Sequence, residues 1–279
     1  MSIAFNESNY DMIYNRLYME SITTILEENG VLKIYLDESD KERLYRLKKD
    51  LIESDNINEN AIDIAEFDNH DWNKEWEKTI EPVLIKDKII IFPSWKKDSL
   101  KNTTGKILIQ IDPKMSFGTG HNETTQLILE LMTDYIGNHD KYMLDYGCGT
   151  GILAIAGIKL GIEKAVAIDI DEDTIENSEE CFEQNSVTGS IVLHKNDISE
   201  ISEHDFDVIS ANITSNVIIP HLKDIYQKLK SNGKVFITGI LLEEKDSLIV
   251  ELRKNNFEVK DRRDKAEWTG FYAIKSNII

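Results

Sequence analysis

The stretch from Met143 to Gly157, Met-Leu-Asp-Tyr-Gly-Cys-Gly-Thr-Gly-Ile-Leu-Ala-Ile-Ala-Gly, constrains the fold of this chain more than any other. An apolar run ends in an acid, Asp145. Glycines follow at positions 147, 149 and 151, and an apolar helical pattern begins at Ile152. A strand that passes through a glycine turn into a helix is the opening of a nucleotide-binding α/β unit. The acid matters as much as the glycines, because it sits at the strand tip, where the charged end of a ligand would lie.

The rest of the chain fits that opening. From Thr124 onward helical and strand patterns alternate. Helices are predicted over 124–136, 152–160, 172–184, 217–229 and 243–255. Strands are predicted over 142–146, 165–170, 191–194, 207–212, 234–238, 257–260 and 271–275. Apolar strands separated by helices imply a mostly parallel sheet covered on both faces. The last two strands lie too close together for a helical crossover, so they are expected to pair antiparallel. Residues 1–67 mix strand-like runs (31–36, 61–65) with charged helical ones (10–28, 41–52), the pattern of a small α+β domain. Residues 68–112 read as a linker that merges into the second domain, which occupies 113–279. In the linker Trp72 and Trp76 form an i, i+4 pair, and strand patterns follow at 88–95 and 107–112.

Composition narrows the function classes. The 51 acidic against 32 basic residues give a formal net charge of -19. Such a chain repels nucleic acid phosphates and attracts basic partners, ribosomal proteins among them, although acidity also serves solubility alone. The two cysteines, Cys148 and Cys181, make neither a disulfide framework nor a zinc site, and Cys148 reads as a small buried filler in the glycine turn. No metal-ligand spacing is evident. The first residues lack the basic and apolar regions of a signal peptide, and no apolar run approaches the roughly 20 residues that span a bilayer. A cytoplasmic monomer is expected.

The turn also discriminates between nucleotides. A dinucleotide site carries G-x-G-x-x-G, with the pyrophosphate on the helix N-terminus. Here the pattern from Gly147 is G-x-G-x-G, and Ile152 stands where the third dinucleotide glycine belongs. Asp145 would repel a pyrophosphate and attract a cationic ligand. S-adenosylmethionine, with an ammonium, a sulfonium and no phosphate, suits Asp145, Gly147 and Gly149. Asp169, at the tip of the next strand, is placed to accept hydrogen bonds from two ribose hydroxyls. Asp197 follows the strand after that and is expected to face the adenine amino group. One acid after a strand is often a helix cap, and Asp171 reads as such a cap. Acids at three successive strand ends exceed what capping explains.

These segments carry a resemblance. Phe117-Gly-Thr-Gly-His-Asn-Glu-Thr-Thr125, Asp145 to Gly151, Ile168-Asp-Ile-Asp171, Ala211-Asn-Ile213, the tryptophan-rich stretch 72–95 and Glu267-Trp268 resemble, in order, the ribosomal protein L11 methyltransferase family (PrmA). The resemblance covers the chain from about Trp72; earlier residues match only in size and α+β character. It implies a Rossmann-like class I methyltransferase domain behind a small substrate-recognition domain. It also implies methylation of α-amine and lysine ε-amine groups of ribosomal protein L11. Cofactor contacts carry over to Thr125, Gly147, Asp169 and Asn212. The family's usual His is Asn122 here, which puts any imidazole contact at that position in doubt.

Methyl transfer from a sulfonium is an in-line displacement by a neutral amine, so catalysis rests on positioning and electrostatics. Deprotonation near pH 7 costs about 1 kcal/mol for an α-amine and about 4.6 kcal/mol for a lysine. Asn212, at the carboxyl end of a central strand, is the candidate for orienting the amine or the methionine end of the cofactor. An Asn at such a place also serves simply as a turn residue. Thr125 is expected to hydrogen-bond the cofactor from the loop above it, or to cap a helix. His121 reads as a loop residue of the same lid, and Trp268 either lines the pocket or packs in the core. A base-flipping methyltransferase places Pro-Pro-aromatic after such an Asn; Ile213-Thr-Ser follows here. The same residues would also suit a small-molecule amine methyltransferase or a non-catalytic cofactor-binding module.

Overall fold

A computed structural model describes residues 1–6, 9–20, 22, 25–28, 30–34, 36, 40–55, 57–65, 80–112 and 118–276. The expected Trp72–Trp76 pair and Phe117 lie outside the described residues. The chain divides into two compact units, Met1–Glu77 and Lys78–Ile279.

The first unit runs β1 (Ser2–Ala4), α1 (Tyr10–Met19), β2 (Ile25–Glu28), β3 (Val31–Ile34), α2 (Lys41–Glu53) and β4 (Ile62–Asp63). Its antiparallel sheet has the order β2-β3-β1-β4. Register places Ile3 beside both Leu32 and Ile62. Ile13 and Leu17 of α1 and Leu47 and Leu51 of α2 pack against those residues, so both helices cover one face. Alternation drives this: Leu32 and Ile34 are buried while Val31 and Lys33 are half-exposed.

The second unit begins with β5 (Val83–Ile85), β6 (Ile89–Phe92) and β7 (Ile107–Gln110), a three-stranded sheet. Sequence pattern groups these strands with the linker; they join the second unit because Ile85, Ile89, Ile91 and Ile109 are buried in its core. There follow α3 (Glu123–Tyr135), β8 (Tyr142–Tyr146), α4 (Ile152–Leu160), β9 (Lys164–Asp169), α5 (Glu172–Gln184), β10 (Ile191–Lys195) and β11 (Phe206–Asn212). The chain ends with α6 (Ser215–Ile218), α7 (Leu222–Lys228), β12 (Leu229–Leu241), α8 (Lys245–Lys254), β13 (Phe257–Lys265) and β14 (Trp268–Lys275).

The main sheet has the order β10-β9-β8-β11-β12-β14-β13. Strands from β10 through β12 are parallel, and β14 runs antiparallel to both β12 and β13. Adjacent strand residues face opposite layers. Met143, Ala165 and Val208 meet α3, α4 and α5, whereas Leu144, Val166 and Ile209 meet α7 and α8. This is the Rossmann-like α/β fold expected. The helix predicted over 217–229 is two, α6 and α7, separated around Pro220, which has no N–H to continue a helix. Among the described residues no helix is long and apolar enough to cross a membrane.

Candidate active site

The chain leaves β8 for β9 and β10 on one side, then returns to place β11 on the other. Ligands of open α/β sheets bind outside the strand carboxyl ends at such a switch point. A cleft of about 330 Å³ opens there, lined by residues that include Gly147, Cys148, Gly149, Asp169, Ile170, Asp197, Asn212, Ile213 and Val217.

The glycine turn forms the floor. Gly147 has φ +68°, and a Cβ there would meet Ile213 Cγ2 at 2.6 Å. A side chain would therefore collide with Ile213 as well as strain the backbone. Gly147 N and Cys148 N both donate to Ile168 O, at 2.9 and 3.0 Å, tying the turn to β9. Gly149 N donates to Asp169 Oδ2 at 3.0 Å, and Asp171 N donates to Oδ1 at 3.1 Å. Each Asp169 oxygen keeps a lone pair for a ligand hydroxyl. Ser178 Oγ of α5 lies 2.6 Å from Gly149 O and 2.8 Å from Thr174 O, and its one proton, shared between the two carbonyls, pins the turn from behind. Cys148 is buried, and burial first, then the charges of Asp145 and Asp169, push its thiol well up.

Asp197 occupies the end of the cleft toward β10. Its Oδ1 accepts from Ser199 N at 3.0 Å and Ser199 Oγ at 2.9 Å, and its Oδ2 accepts from Tyr146 Oη at 3.1 Å. Partial burial would raise its carboxyl, but the Ser199 bonds, His221 and Tyr146 outweigh it and hold the group below the usual range. Tyr146 is raised in turn by burial and by Asp197.

At the opposite end, Asn212 closes β11, and its Nδ2 donates to Thr125 Oγ1 at 3.3 Å. Thr125 is fully buried in the first turn of α3 and is not among the cleft-lining residues. The threonine expected above the cofactor instead holds the asparagine.

Asp145 also departs from its expected place. It is fully buried and does not line the cleft. Oδ2 accepts from Ala154 N at 3.0 Å, at the third residue of α4, and Oδ1 accepts from Ser210 Oγ at 2.8 Å. The free N–H groups of a helix start compete for an acid this close. Burial pushes the carboxyl up to about 7; the Ser210 and Ala154 bonds oppose that rise, and the Asp169 charge adds to it.

The model of the ribosomal protein L11 methyltransferase (PrmA) family matches residues 1–276. The chain belongs to this family. The match reaches beyond the Trp72 boundary of the sequence resemblance and takes in the first unit. Among PrmA relatives, the ribosomal protein L11 methyltransferase of Caldicellulosiruptor saccharolyticus is 39% identical over 220 residues, covering 79% of this chain and 71% of the relative. That of Alkaliphilus oremlandii is 31% identical over 267 residues, covering 94% and 83%. A crystal structure of the ribosomal protein L11 methylase from Lactobacillus delbrueckii subsp. bulgaricus superposes with a TM-score of 0.66 at 25% identity, covering 71% of this chain and all of that one (100%).

In this PrmA member His121 Nε2 lies 3.0 Å from Glu81 O, which can only accept, so Nε2 carries the proton. Asn122, the departure from the family His, is the N-cap residue of α3. Trp268 is half-buried opposite Leu241 in β12 and is not among the cleft-lining residues. Sequence reasoning passed over Ser178, Ser210 and Tyr146. Ser210 carried a usable signal, a polar residue inside the apolar run of a central strand.

Proposed function

We propose that this chain transfers methyl groups from S-adenosylmethionine to amines of ribosomal protein L11. The observation that carries this reading is the order of groups along the sheet edge. Asp197 follows β10, Asp169 ends β9, Gly147 and Gly149 follow β8, and Asn212 ends β11, and these strands are neighbours in that order. Adenine, ribose, methionine and the acceptor amine of one extended ligand pair meet the same sequence of groups. The residues fit the molecule: a cleft floor whose Gly147 and Gly149 carry no side chains, a ribose acceptor at Asp169, and no clustered cation for a phosphate among the cleft-lining residues.

When bound, S-adenosylmethionine supplies a methyl group on a positively charged sulfonium. The protein supplies position. Thr125 Oγ1 accepts from the Asn212 amide nitrogen, and Asn212, which lines the cleft, offers its Oδ1 as the acceptor for an incoming amine. A neutral acceptor suits this role, because a carboxylate would stabilise the ammonium and keep the amine protonated. Ile213 and Val217 add apolar surface beside it, which favours an uncharged lysine.

The first unit is the proposed recognition domain. Met1–Glu77 holds 19 acidic against 8 basic residues, and so attracts a basic ribosomal protein. Purified ribosomal proteins incubated with methyl-labelled S-adenosylmethionine and this enzyme should show label on L11, and Asn212→Ala should remove most of it. Label confined to RNA, or to another protein, would overturn the assignment.

A further inference from the structure

We infer that Gly239, on a strand that contributes nothing to the cleft lining, is a positioning residue for methyl transfer, acting through Ile213 and Asn212. The inference rests on the proposed role of Asn212. Strand β12 carries both Thr238 and Gly239 between Ile237 and Ile240, while β14 carries only Gly270 between their partners Phe271 and Thr269. Two residues opposite one make a β-bulge, a device that bends a strand and re-aims its neighbours. Gly239 has φ +83°, a conformation that glycine adopts without strain.

The bulge is where β11 leaves the sheet. Asn212 is in register with Thr238, and Ile213 N donates to Thr238 O at 3.1 Å. A Cβ on Gly239 would lie 2.9 Å from Ile213 C, 2.9 Å from its O and 3.0 Å from its N. Those are backbone atoms with no rotamer by which to yield. On the other side, a Cβ on Gly147 would meet Ile213 Cγ2 at 2.6 Å. Ile213 is thus held between two glycines, Gly147 of the turn after β8 and Gly239 of β12, and fixes the residue before it. The Asn212–Thr125 bond at 3.3 Å is already long, so a shift of about 0.5 Å in the Asn212–Ile213 backbone breaks it. The amide then no longer faces the amine in one orientation.

Gly239→Ala is the test, read as methyl transfer to ribosomal protein L11 and as calorimetric binding of S-adenosylhomocysteine. We expect kcat to fall by about tenfold to a hundredfold, the scale of a misplaced reacting group, with the dissociation constant of S-adenosylhomocysteine within about threefold, well inside one hydrogen bond's contribution. Gly270→Ala alters the same bulge without touching Ile213. Its Cβ would sit 3.4 Å from Leu131 and 3.5 Å from Leu127, and kcat should stay within about twofold, as for a change at ordinary contact distance. The double variant Gly239→Ala/Asn212→Ala should be no slower than Asn212→Ala, because coupled residues are not additive. Should Gly239→Ala fail to fold, Gly239→Asn carries the test, because asparagine tolerates a positive φ yet brings the same Cβ against the Ile213 backbone, and it should show the same loss of kcat with binding kept. Unchanged kcat in Gly239→Ala, equal loss in Gly270→Ala, or additive losses in the double variant overturns the inference. Full activity of Asn212→Ala alone instead overturns the reading on which it rests.

Discussion

Thr125 Oγ1 accepts a hydrogen bond from Asn212 Nδ2 at 3.3 Å, joining the first turn of α3 to the carboxyl end of β11. Thr125 is fully buried. On the proposed role of Asn212, the hydroxyl is expected to act on the reaction through that residue. Thr125→Val keeps the shape and removes the acceptor. A lost hydrogen bond of about 1 kcal/mol corresponds to roughly a fivefold fall in kcat, with S-adenosylhomocysteine affinity unchanged by calorimetry. A fall confined to affinity would show that Thr125 contacts the cofactor after all.

Asp169 does two jobs. It accepts from Gly149 N and Asp171 N, shaping the turn, and it lines the cleft where ribose is expected. Asp169→Asn leaves one acceptor oxygen and removes the charge. Hydrogen bonds to a charged group contribute about 1.5–3 kcal/mol, so S-adenosylhomocysteine should bind more weakly by roughly tenfold to a hundredfold. Affinity equal to the parent chain's would end the ribose assignment.

Asp145 makes stability depend on pH. Its carboxyl is pushed up to about 7 in the folded chain, against about 3.9 unfolded. Between those values the folded state holds a proton that the unfolded state has released. Stability present below about pH 4 is therefore lost as pH rises toward about 7, and is constant beyond. Asp145→Asn should flatten that decline. Thermal melting of both chains from pH 5 to pH 8 checks this, and parallel curves would refute the raised carboxyl.

The proposed recognition role of the first unit predicts that binding and recognition can be separated. A chain reduced to Lys78–Ile279 keeps the glycine turn, Asp169, Asp197, Asn212 and both faces of the main sheet. It should bind S-adenosylhomocysteine with the affinity of the full chain and fail to methylate ribosomal protein L11. Normal methylation by the shortened chain would remove the recognition role from the first unit.

The sequence by itself determined the α/β alternation, the glycine turn and the acids at strand ends. These are local: apolar runs of strand and helix period, and a turn that only glycines permit, are written within a few neighbouring residues. It also marked Asp169, Asp197 and Asn212, because a polar residue at the carboxyl end of a buried strand has few other places to go. Tertiary structure alone decided what Asp145 and Thr125 do. Both sit at the predicted strand tip and helix start, but a fully buried polar group must find its partner inside the protein. For Asp145 those partners are Ala154 N and Ser210 Oγ, 9 and 65 residues away, and for Thr125 it is Asn212, 87 residues away. Gly239 is the extreme case. In sequence it is one glycine in a strand, and only the close approach of the Ile213 backbone to the β12 bulge shows what a side chain there would meet.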